Sequence, residues 1–347
     1  MLRHFRITWL IVVSAIVSGC SATGPVTTTA FEKQPETDIS FEVIPLGVYG
    51  GLEESNLSAY LVSTPASSNY LAFDAGTLLS GLKEAANQKA FSGSDTNPAL
   101  STTGAILRDH IKGYAISHPH IDHVSGLIIN STDDSAKPVY GLPETIEALT
   151  NHVFNWELWP NFANVGKGFK LSQYRYETMT ASVPVSVDGT EWTLTAFPLS
   201  HSGANKSTAF LLRNGDDYML YLGDTGPDDV ENTQQLGDVW RHIAPLIRQQ
   251  QLKGMLIEAS YPSSRADNQL FGHLTPKWLY AELNKLAAMV NEASPDKALT
   301  GLNVIVTHMK PALTRQNPLE TIKKELEAQN TLGVTIIIPQ QGKTIYL

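Results

Sequence analysis

The chain has almost no cysteine and no concentrated positive charge. Cys20 is the one cysteine among 347 residues, so no disulfide can form within the chain. The formal net charge is −9, and no cluster of lysine and arginine stands out. Such a surface would repel an extended phosphate backbone, which argues against a nucleic-acid partner. With 42% apolar and 17% charged residues, the composition is that of an ordinary globular protein.

Long apolar runs are also missing, apart from one short run near the N-terminus. Residues 7–17 are apolar and follow Arg3 and Arg6, which is the order found in a secretory signal, and the run is too short to span a bilayer comfortably. Val17-Ser18-Gly19-Cys20 follows directly and resembles the lipobox of bacterial lipoproteins, in which the cysteine is lipidated and becomes the first mature residue. A plain signal peptide with an unrelated cysteine is the alternative.

The resemblance to a lipobox implies a location in the cell envelope. Ser21 stands where Asp would stand in some lipoproteins, which in Gram-negative cells implies a periplasmic lipoprotein anchored in the outer membrane. Acyl chains on Cys20 would give stable anchoring. We therefore expect a signal peptide over residues 1–19, lipidation at Cys20, a flexible tether over residues 20–37 rich in Thr, Pro and Glu, and a single domain over residues 38–347.

Downstream of the tether, strand-like apolar runs are interspersed with amphipathic segments. The first strand-like runs are residues 41–46, 59–62 and 70–76. Helical periodicity predicts helices over residues 103–110, 144–154, 239–249, 277–290 and 319–328. No repeat is evident and no linker interrupts this region. The pattern favours an α/β (α+β) fold in which two sheets lie face to face with helices outside.

The densest group of ionisable residues follows the strand-like run at residues 113–116. His118, His120, Asp122 and His123 lie within six residues of each other. A buried imidazole or carboxylate is costly unless it is paired or bound to metal. Imidazole nitrogens and carboxylate oxygens are ligands of Zn²⁺ and similar metals. The cluster therefore predicts a metal site, with a solvated histidine-rich loop as the alternative.

Three further polar residues end apolar runs. His201, Asp224 and His308 come directly after the runs at residues 194–200, 218–223 and 303–307. Alone, each would more often be an ordinary surface or core residue. Together with the first cluster they make seven ligands, about the number needed for two metals and a bridging carboxylate.

The seven residues resemble the ligand set of the metallo-β-lactamase superfamily, whose HxHxDH motif is matched by His118, His120, Asp122 and His123. The resemblance implies a four-layer αββα sandwich. It also implies two divalent metal ions, with Zn²⁺ as the default for these ligand types. One metal would be held by His118, His120 and His201, the other by Asp122, His123 and His308, and Asp224 would bridge them.

A narrower resemblance covers nearly the whole predicted domain. Residues 118–131 look like the signature of class II cyclic nucleotide phosphodiesterases, with Ile121 in place of the usual leucine. Further segments similar to that family are Phe73-Asp74-Ala75-Gly76, Gly223-Asp224-Thr225-Gly226-Pro227-Asp228, Gly272-His273-Leu274-Thr275-Pro276 and Thr307-His308-Met309-Lys310-Pro311. This extended match is more specific than HxHxDH, which marks only the superfamily.

The family resemblance implies metal-dependent hydrolysis of 3′,5′-cyclic nucleotides, cyclic AMP or cyclic GMP, to 5′-nucleoside monophosphates. A metal-bridging hydroxide would attack phosphorus, with Asp122 and Asp224 among the catalytic residues. His273, oriented by Glu258, is the candidate acid that protonates the leaving ribose oxygen. The alternative for His273 is phosphate binding or a structural role.

Other activities of the superfamily stay open at this point. A thioesterase, a lactonase or another phosphodiesterase would keep the same seven ligands, and only the phosphodiesterase-like segments argue against them. A zinc β-lactamase with a cysteine ligand is disfavoured because Cys20 is the one thiol. The signal peptide and the acidic balance oppose a tRNA-processing nuclease. The non-enzyme alternative is a lipoprotein that binds metal or nucleotide without turnover.

The expected partners are a cyclic nucleotide, the membrane through the lipid anchor, and a second copy of the chain in a homodimer. The aromatic run at residues 154–162 offers ring faces on which a purine could stack. Such a run more often packs in a core. Trp156 and Trp159 are therefore not among the predicted site residues.

Overall fold

The computed structural model describes residues 39–65, 67–91, 97–203 and 206–347. The expected signal peptide, the lipidation site Cys20 and the expected tether all lie outside the described residues. Within the described ranges, no helix is both long enough and apolar enough to cross a membrane.

The first sheet comes from the N-terminal half of the chain and the last strand. Its strands are β1 (Glu42–Gly47), β2 (Ala59–Ser63), β3 (Tyr70–Phe73), β4 (Ile111–Ala115), β5 (Lys137–Gly141), β6 (Tyr174–Thr178) and β14 (Ile345–Tyr346). In the sheet order β14-β1-β2-β3-β4-β5-β6, the first three pairs are antiparallel and the next three are parallel.

The second sheet has the same pairing pattern. Its strands are β7 (Val185–Ser186), β8 (Thr193–Ser200), β9 (Lys206–Asn214), β10 (Asp217–Leu222), β11 (Leu252–Glu258), β12 (Asn303–Thr307) and β13 (Thr335–Ile337). In the order β7-β8-β9-β10-β11-β12-β13, three antiparallel pairs are again followed by three parallel pairs. The two sheets therefore repeat one arrangement that is not evident in the sequence.

The helices lie between strands along the chain. They are α1 (Leu79–Asn87), α2 (Thr102–Ala105), α3 (Ile121–Asn130), α4 (Pro143–Ala148), α5 (Asp228–Glu231), α6 (Gln235–Arg248), α7 (Pro276–Val290), α8 (Pro295–Ala298) and α9 (Pro318–Gln329). Helices α2 and α4 continue into π-helical turns at Ile106–His110 and Leu149–Val153. Helix α7 begins with a proline and is capped by Thr275, whose hydroxyl accepts a hydrogen bond from the Trp278 amide, as its sequence favours.

Three apolar clusters define the layers. Phe73 of the first sheet and Tyr221 of the second pack together between the sheets. Leu82 of α1 packs in the cluster on the outer face of the first sheet. Trp240 of α6 and Leu283 of α7 pack in the cluster on the outer face of the second sheet. This order of layers confirms the predicted αββα sandwich.

Several elements were not predicted from the sequence. Helix α3 begins inside the HxHxDH segment, and α1 also lies where no helix was expected. Strand β5 was missed because Lys137 and Pro138 are untypical of a buried strand. The buried Lys137 is tolerated because its ammonium lies 2.6 Å from the carboxylate of Asp134. The run at residues 70–76 ends as a strand at Phe73, so Asp74 follows a strand end.

Candidate functional site

Side chains that follow the ends of several strands converge on one buried cluster. His118 lies shortly after β4, His201 directly after β8, Asp224 shortly after β10 and His308 directly after β12. Glu258 is the last residue of β11. Because β10, β11 and β12 are parallel neighbours, their carboxyl ends lie side by side, which is where open α/β sheets bind ligands.

One group of possible metal ligands consists of His118, His120, His201 and Asp224. One nitrogen or oxygen atom from each of these side chains lies within 4.8 Å of the others. Nε2 of His201 is 3.2 Å from Nδ1 of His120. Nε2 of His118 is 3.7 Å from Oδ2 of Asp224. His120 is the most exposed of the three imidazoles, so this group lies toward the solvent.

A second group consists of Asp122, His123 and His308, whose ligand atoms also lie within 4.8 Å of one another. Nε2 of His308 is 3.3 Å from Oδ2 of Asp122 and 3.2 Å from Nε2 of His123. Oδ1 of Asp224 is 3.3 Å from Nε2 of both histidines. The two oxygens of Asp224 therefore face different groups, which is the position required of a bridging carboxylate.

The chemistry of these atoms fits a bound metal. Nε2 of His118 is fully buried and has no hydrogen-bond partner among the described residues. Leaving a buried polar atom without a partner costs free energy. This nitrogen is therefore positioned to bind a metal ion. The nitrogens of His123 and His308 face each other at 3.2 Å, an arrangement that requires either a proton or a cation between them. All seven predicted ligand residues therefore belong to groups that suit divalent metal.

The pKa values of the imidazoles follow from burial and from the two aspartates. Burial lowers the pKa of His118 well below its usual value, and it also lowers the pKa of His120 and His308. These rings are therefore neutral at pH 7, the form that binds metal. For His123, burial acts in the same direction, but the carboxylates of Asp224 and Asp74 outweigh it and raise the pKa well above its usual value.

Both aspartates of the cluster stay ionised. Burial acts to raise the pKa of Asp224, but its close contacts with the His308 and His123 rings outweigh burial and hold that pKa well below the usual value. Burial also acts to raise the pKa of Asp122, but the hydrogen bond from His308 and the electrostatic interactions with His123 and His308 together outweigh burial and lower that pKa. Two ionised carboxylates beside the neutral rings of His118, His120 and His308 leave a net negative charge even when His123 is protonated, and this charge attracts cations.

The carboxylate of Asp74 holds the His123 ring through Nδ1, the nitrogen that does not face the candidate metal groups. The Asp74 carboxylate is fully buried and lies 2.7 Å from Nδ1 of His123. It also accepts hydrogen bonds from the amide and hydroxyl of Ser117, at 2.7 Å each, and from the Tyr221 hydroxyl. In the sequence, Asp74 lies within a segment that resembles the family, but no role was predicted for it. Its position after the apolar strand β3 is the same signal that identified His201 and His308.

Backbone groups hold other members of the site. The amide of Gly51 donates to Oδ2 of Asp122 at 3.0 Å. At Gly50, a Cβ atom would lie 2.2 Å from the ring of His308, so only glycine fits beside this imidazole. Nδ1 of His201 lies 2.8 Å from the carbonyl oxygen of Gly272, which therefore accepts its hydrogen bond and points Nε2 toward the cluster.

Glu258 and His273 form a pair beside the cluster. Oε1 of Glu258 lies 3.0 Å from Nδ1 of His273, and both side chains are buried. The carboxylate also accepts hydrogen bonds from the amides of Thr225 and Leu274 and from the hydroxyl of Ser260. Nδ1 of His273 is 3.8 Å from Oδ2 of Asp224. Glu258 is thus held on three sides and orients the His273 ring.

The pair shares a proton. Burial lowers the pKa of His273 to about 4. Burial, followed by the negative charge of Asp224, raises the pKa of Glu258 to about 7. The Glu258 carboxyl therefore keeps its proton to a higher pH than a free carboxyl does, while burial keeps the His273 ring neutral. One proton is thus available between Nδ1 and Oε1 without a net positive charge on the ring.

The two tryptophans of the aromatic run lie elsewhere. Trp159 is partly buried against the cluster on the outer face of the first sheet, and its Nε1 donates to the Ser131 hydroxyl. Nε1 of Trp156 donates to the carbonyl oxygen of Phe169. Both therefore have structural contacts of their own.

The family comparison covers almost all of the described chain. Residues 38–342 match the family model of class-II cAMP phosphodiesterases. A 3′,5′-cyclic-nucleotide phosphodiesterase of Aliivibrio fischeri is 43% identical over 311 residues, which cover 88% of this chain and 92% of the relative. A probable 3′,5′-cyclic-nucleotide phosphodiesterase of Yersinia pestis is 42% identical over 330 residues, covering 94% and 95% of the two chains.

Solved structures give the same fold. The crystal structure of unliganded yeast PDE1 superposes with a TM-score of 0.75 at 27% sequence identity, covering 89% of this chain and all of that chain. YhfI from Bacillus subtilis, a protein of the metallo-β-lactamase fold, superposes with a TM-score of 0.57 at 16% identity, covering 89% and 99% of the two chains. The second likeness bears on the fold alone.

Proposed function

The chain belongs to the class-II cAMP phosphodiesterase family and is a 3′,5′-cyclic-nucleotide phosphodiesterase, and from this premise we propose how its own residues hydrolyse the cyclic diester. The product is the 5′-nucleoside monophosphate, and the substrate is cyclic AMP, cyclic GMP or both. The single observation that carries the proposal is the position of Asp224. One of its oxygens faces the group of His118, His120 and His201, and the other faces the group of Asp122, His123 and His308.

Two divalent cations fit these groups. In our proposal His118, His120 and His201 would hold one cation, Asp122, His123 and His308 would hold the other, and Asp224 would offer one oxygen to each. The neutral imidazoles and mixed nitrogen and oxygen donors favour Zn²⁺, although the ligand types also suit Mn²⁺ or Fe²⁺. When bound, such cations lower the pKa of water and neutralise charge on phosphoryl oxygens.

His273 supplies the proton that the leaving group needs. Hydrolysis adds water across the bond between phosphorus and the ribose 3′-oxygen, and this oxygen must leave protonated at neutral pH. Nδ1 of His273 is held by Glu258, which leaves Nε2 to donate the proton. As Nε2 gives up its proton, Nδ1 receives the one shared with Glu258. The pair thus delivers one proton without building positive charge on the buried ring.

The test is the replacement Asp224→Ala in the full chain. We expect loss of at least one metal equivalent, measured by elemental analysis, and loss of cyclic AMP and cyclic GMP hydrolysis, followed by chromatography of the 5′-monophosphates. Asp296→Ala, at an exposed carboxylate in α8, is the matched control and should keep both. Full activity in Asp224→Ala would refute the role of the bridging carboxylate.

Metal removal tests the same site in the wild-type chain. A chelator should abolish turnover, and Zn²⁺ should restore it. A wild-type chain that holds two metals but turns over neither cyclic nucleotide would point to a thioester, a lactone or another phosphodiester as the substrate. Tight binding of cyclic nucleotide without product would support the non-enzyme alternative.

The location of the protein is a separate proposal. We propose that residues 1–19 direct export, that Cys20 is lipidated, and that the enzyme acts as a periplasmic lipoprotein of the outer membrane on cyclic nucleotide outside the cytoplasm. The lipobox-like run before Cys20 supports this proposal. Labelling with radioactive palmitate should mark the wild-type chain and not the variant Cys20→Ser. Activity confined to the cytoplasm would contradict export.

The homodimer is also a proposal. Light scattering during size-exclusion chromatography would test it.

A further inference from the structure

Phe271 is an exposed aromatic residue fixed beside a predicted metal ligand. Its side chain is 58% exposed, although its neighbours Leu270 and Gly272 are buried. The carbonyl oxygen of Gly272 accepts the hydrogen bond from Nδ1 of His201. The exposed ring is therefore tied, through one residue of backbone, to the side chain that we assign to the first metal group.

The backbone at this point is held in an unusual conformation. Phe271 has φ +53° and Gly272 has φ +76°, both in the left-handed region. A bulky aromatic residue rarely adopts this region, and such strain persists only where the surrounding structure imposes it. At Gly272, a Cβ atom would lie 2.1 Å from the backbone nitrogen of Ser202, so the loop is packed tightly against the segment that carries His201. The exposure of Phe271 is thus imposed by contacts.

Two further side chains support the ring. The guanidinium of Arg265 lies over the Tyr261 ring, with Cζ 4.6 Å from its centroid, and its Cζ is 5.7 Å from the centroid of Phe271. Nε of Arg265 donates to the carbonyl oxygen of Gln269. No carboxylate among the described residues forms an ion pair with Arg265. Its charge is thus held between two aromatic rings.

This aromatic group reaches the predicted acid. The ring of Tyr261 contacts that of His273 edge to face, with centroids 5.7 Å apart. The series Phe271, Arg265, Tyr261 and His273 therefore runs from the solvent to the residue that would protonate the ribose oxygen. In a cyclic nucleotide the base is attached to the same ribose, so the base is only one sugar ring away from the oxygen that His273 would protonate.

Other apolar side chains are exposed next to residues of the candidate metal groups. Leu52 is 53% exposed and follows Gly51, whose amide holds Asp122. Ile121 is 63% exposed and lies between His120 and Asp122 in the sequence. A ligand bound there meets apolar side chains as well as the charged candidate metal groups. A nucleobase has apolar surface for such contacts.

We infer that Phe271, supported by Arg265, is the platform on which the nucleobase of the substrate stacks. This inference rests on the proposed function and names the residues that recognise the part of the substrate remote from the reaction. Base stacking on an aromatic ring tolerates different bases, because each base has a π face. The platform therefore serves adenine and guanine alike.

The test compares Phe271→Ala with the wild-type full chain. Loss of stacking should raise KM for cyclic AMP about 10- to 100-fold, with kcat changed less than about twofold. The base-free analogue 1-O-methylribose 3′,5′-cyclic phosphate should show no change in kcat/KM. Phe271→Trp should restore the wild-type KM. Phe169→Ala, at a ring that is 72% exposed in the loop before β6, is the matched control and should change nothing.

Binding of the product gives a second readout that does not depend on turnover. Calorimetry should show that wild type binds 5′-AMP more tightly than ribose 5-phosphate, and that Phe271→Ala removes most of this difference. Arg265→Ala should raise KM less than Phe271→Ala, because it releases the ring without removing it. An unchanged KM in Phe271→Ala, or an equal loss with the base-free analogue, would overturn the platform while leaving the proposed function intact. Absence of cyclic nucleotide turnover in the wild type would overturn the proposed function itself, and the platform with it.

Discussion

The carboxylate of Asp74 lies 2.7 Å from Nδ1 of His123, and the other ring nitrogen of His123 lies 3.3 Å from Asp224. One imidazole therefore connects a buried carboxylate of the first sheet to the candidate metal groups. A carboxylate in this position fixes the tautomer of the imidazole and increases its basicity as a ligand. Asp74 thereby acts on the metal site without contributing a ligand atom.

We predict that Asp74→Asn weakens metal binding while the domain stays folded. The loss of the negative charge removes the stabilisation of the His123 N–H, so metal affinity should fall about 10- to 100-fold. Competition with a chelating dye measures this affinity, and circular dichroism checks the fold. Asp296→Asn in α8 is the matched control. Wild-type affinity in a folded Asp74→Asn variant would show that Asp74 serves packing alone.

The predicted metal ligands could be identified from the sequence, but the residues that hold these ligands in place could not. His201 and His308 were found because each follows an apolar strand, and that local signal does not depend on the partner. The contact between Asp74 and Tyr221 joins residues far apart in the chain across the two sheets, and no local pattern encodes it. The carbonyl of Gly272 could not be predicted either, because backbone groups leave no mark in the residue type.

Helix α3 and strand β5 were also not predicted, because their residues are atypical of these elements when taken alone. Helix α3 carries Asp122 and His123, and polar ligands interrupt its apolar periodicity, so the segment resembled a loop. Strand β5 contains Lys137. Its burial depends on the ion pair with Asp134, which the sequence alone does not predict. Function and tertiary pairing override local propensity at both places.

His273→Ala should separate proton donation from binding. With cyclic AMP, loss of a positioned acid should lower kcat about 10²- to 10⁴-fold. With a diester whose leaving group is 4-nitrophenolate, which needs no proton, kcat should stay near the wild-type value. Steady-state kinetics on both substrates with metal-loaded enzyme measures the difference. Equal losses on the two substrates would instead assign His273 to phosphate binding or to structure.

The buried ion pair between Lys137 and Asp134 should stabilise the folded domain at a position outside the candidate metal site. Asp134 accepts hydrogen bonds from the hydroxyls of Tyr114 and Tyr174 and pairs with the Lys137 ammonium, and all four side chains are buried. Lys137→Met leaves the Asp134 carboxylate without its cation, which should lower the free energy of unfolding by about 3–5 kcal/mol.

Urea unfolding measures the effect of Lys137→Met. The double replacement Lys137→Met with Asp134→Asn removes both charges and should recover part of the stability. Metal content should stay unchanged in both variants, because neither residue is close to the predicted ligands in the chain or bonded to them. A single variant as stable as wild type would show that the pair is neutral to folding.

Tyr280 links helices α7 and α9 on the outer face of the second sheet, and this contact should make the stability of the domain depend on pH in the alkaline range. Its hydroxyl, on α7, donates at 2.6 Å to the carbonyl oxygen of Leu326 on α9. Burial raises the pKa of Tyr280 from its usual value near 10 to about 12. Because the folded state holds this proton more tightly than the unfolded state, its contribution to stability is complete below about pH 10 and is lost as pH rises toward 12.

The variant Tyr280→Phe isolates this contribution. Near pH 8 it should unfold with a free energy about 1 kcal/mol lower than wild type, because the hydrogen bond is missing. Between pH 10 and about 12 this difference should shrink, since wild type then loses the same bond by ionisation. Urea unfolding across this pH range measures the difference, and Tyr346→Phe, at an exposed ring on β14, should show no comparable change. A difference between wild type and Tyr280→Phe that stays constant through pH 12 would contradict the assignment.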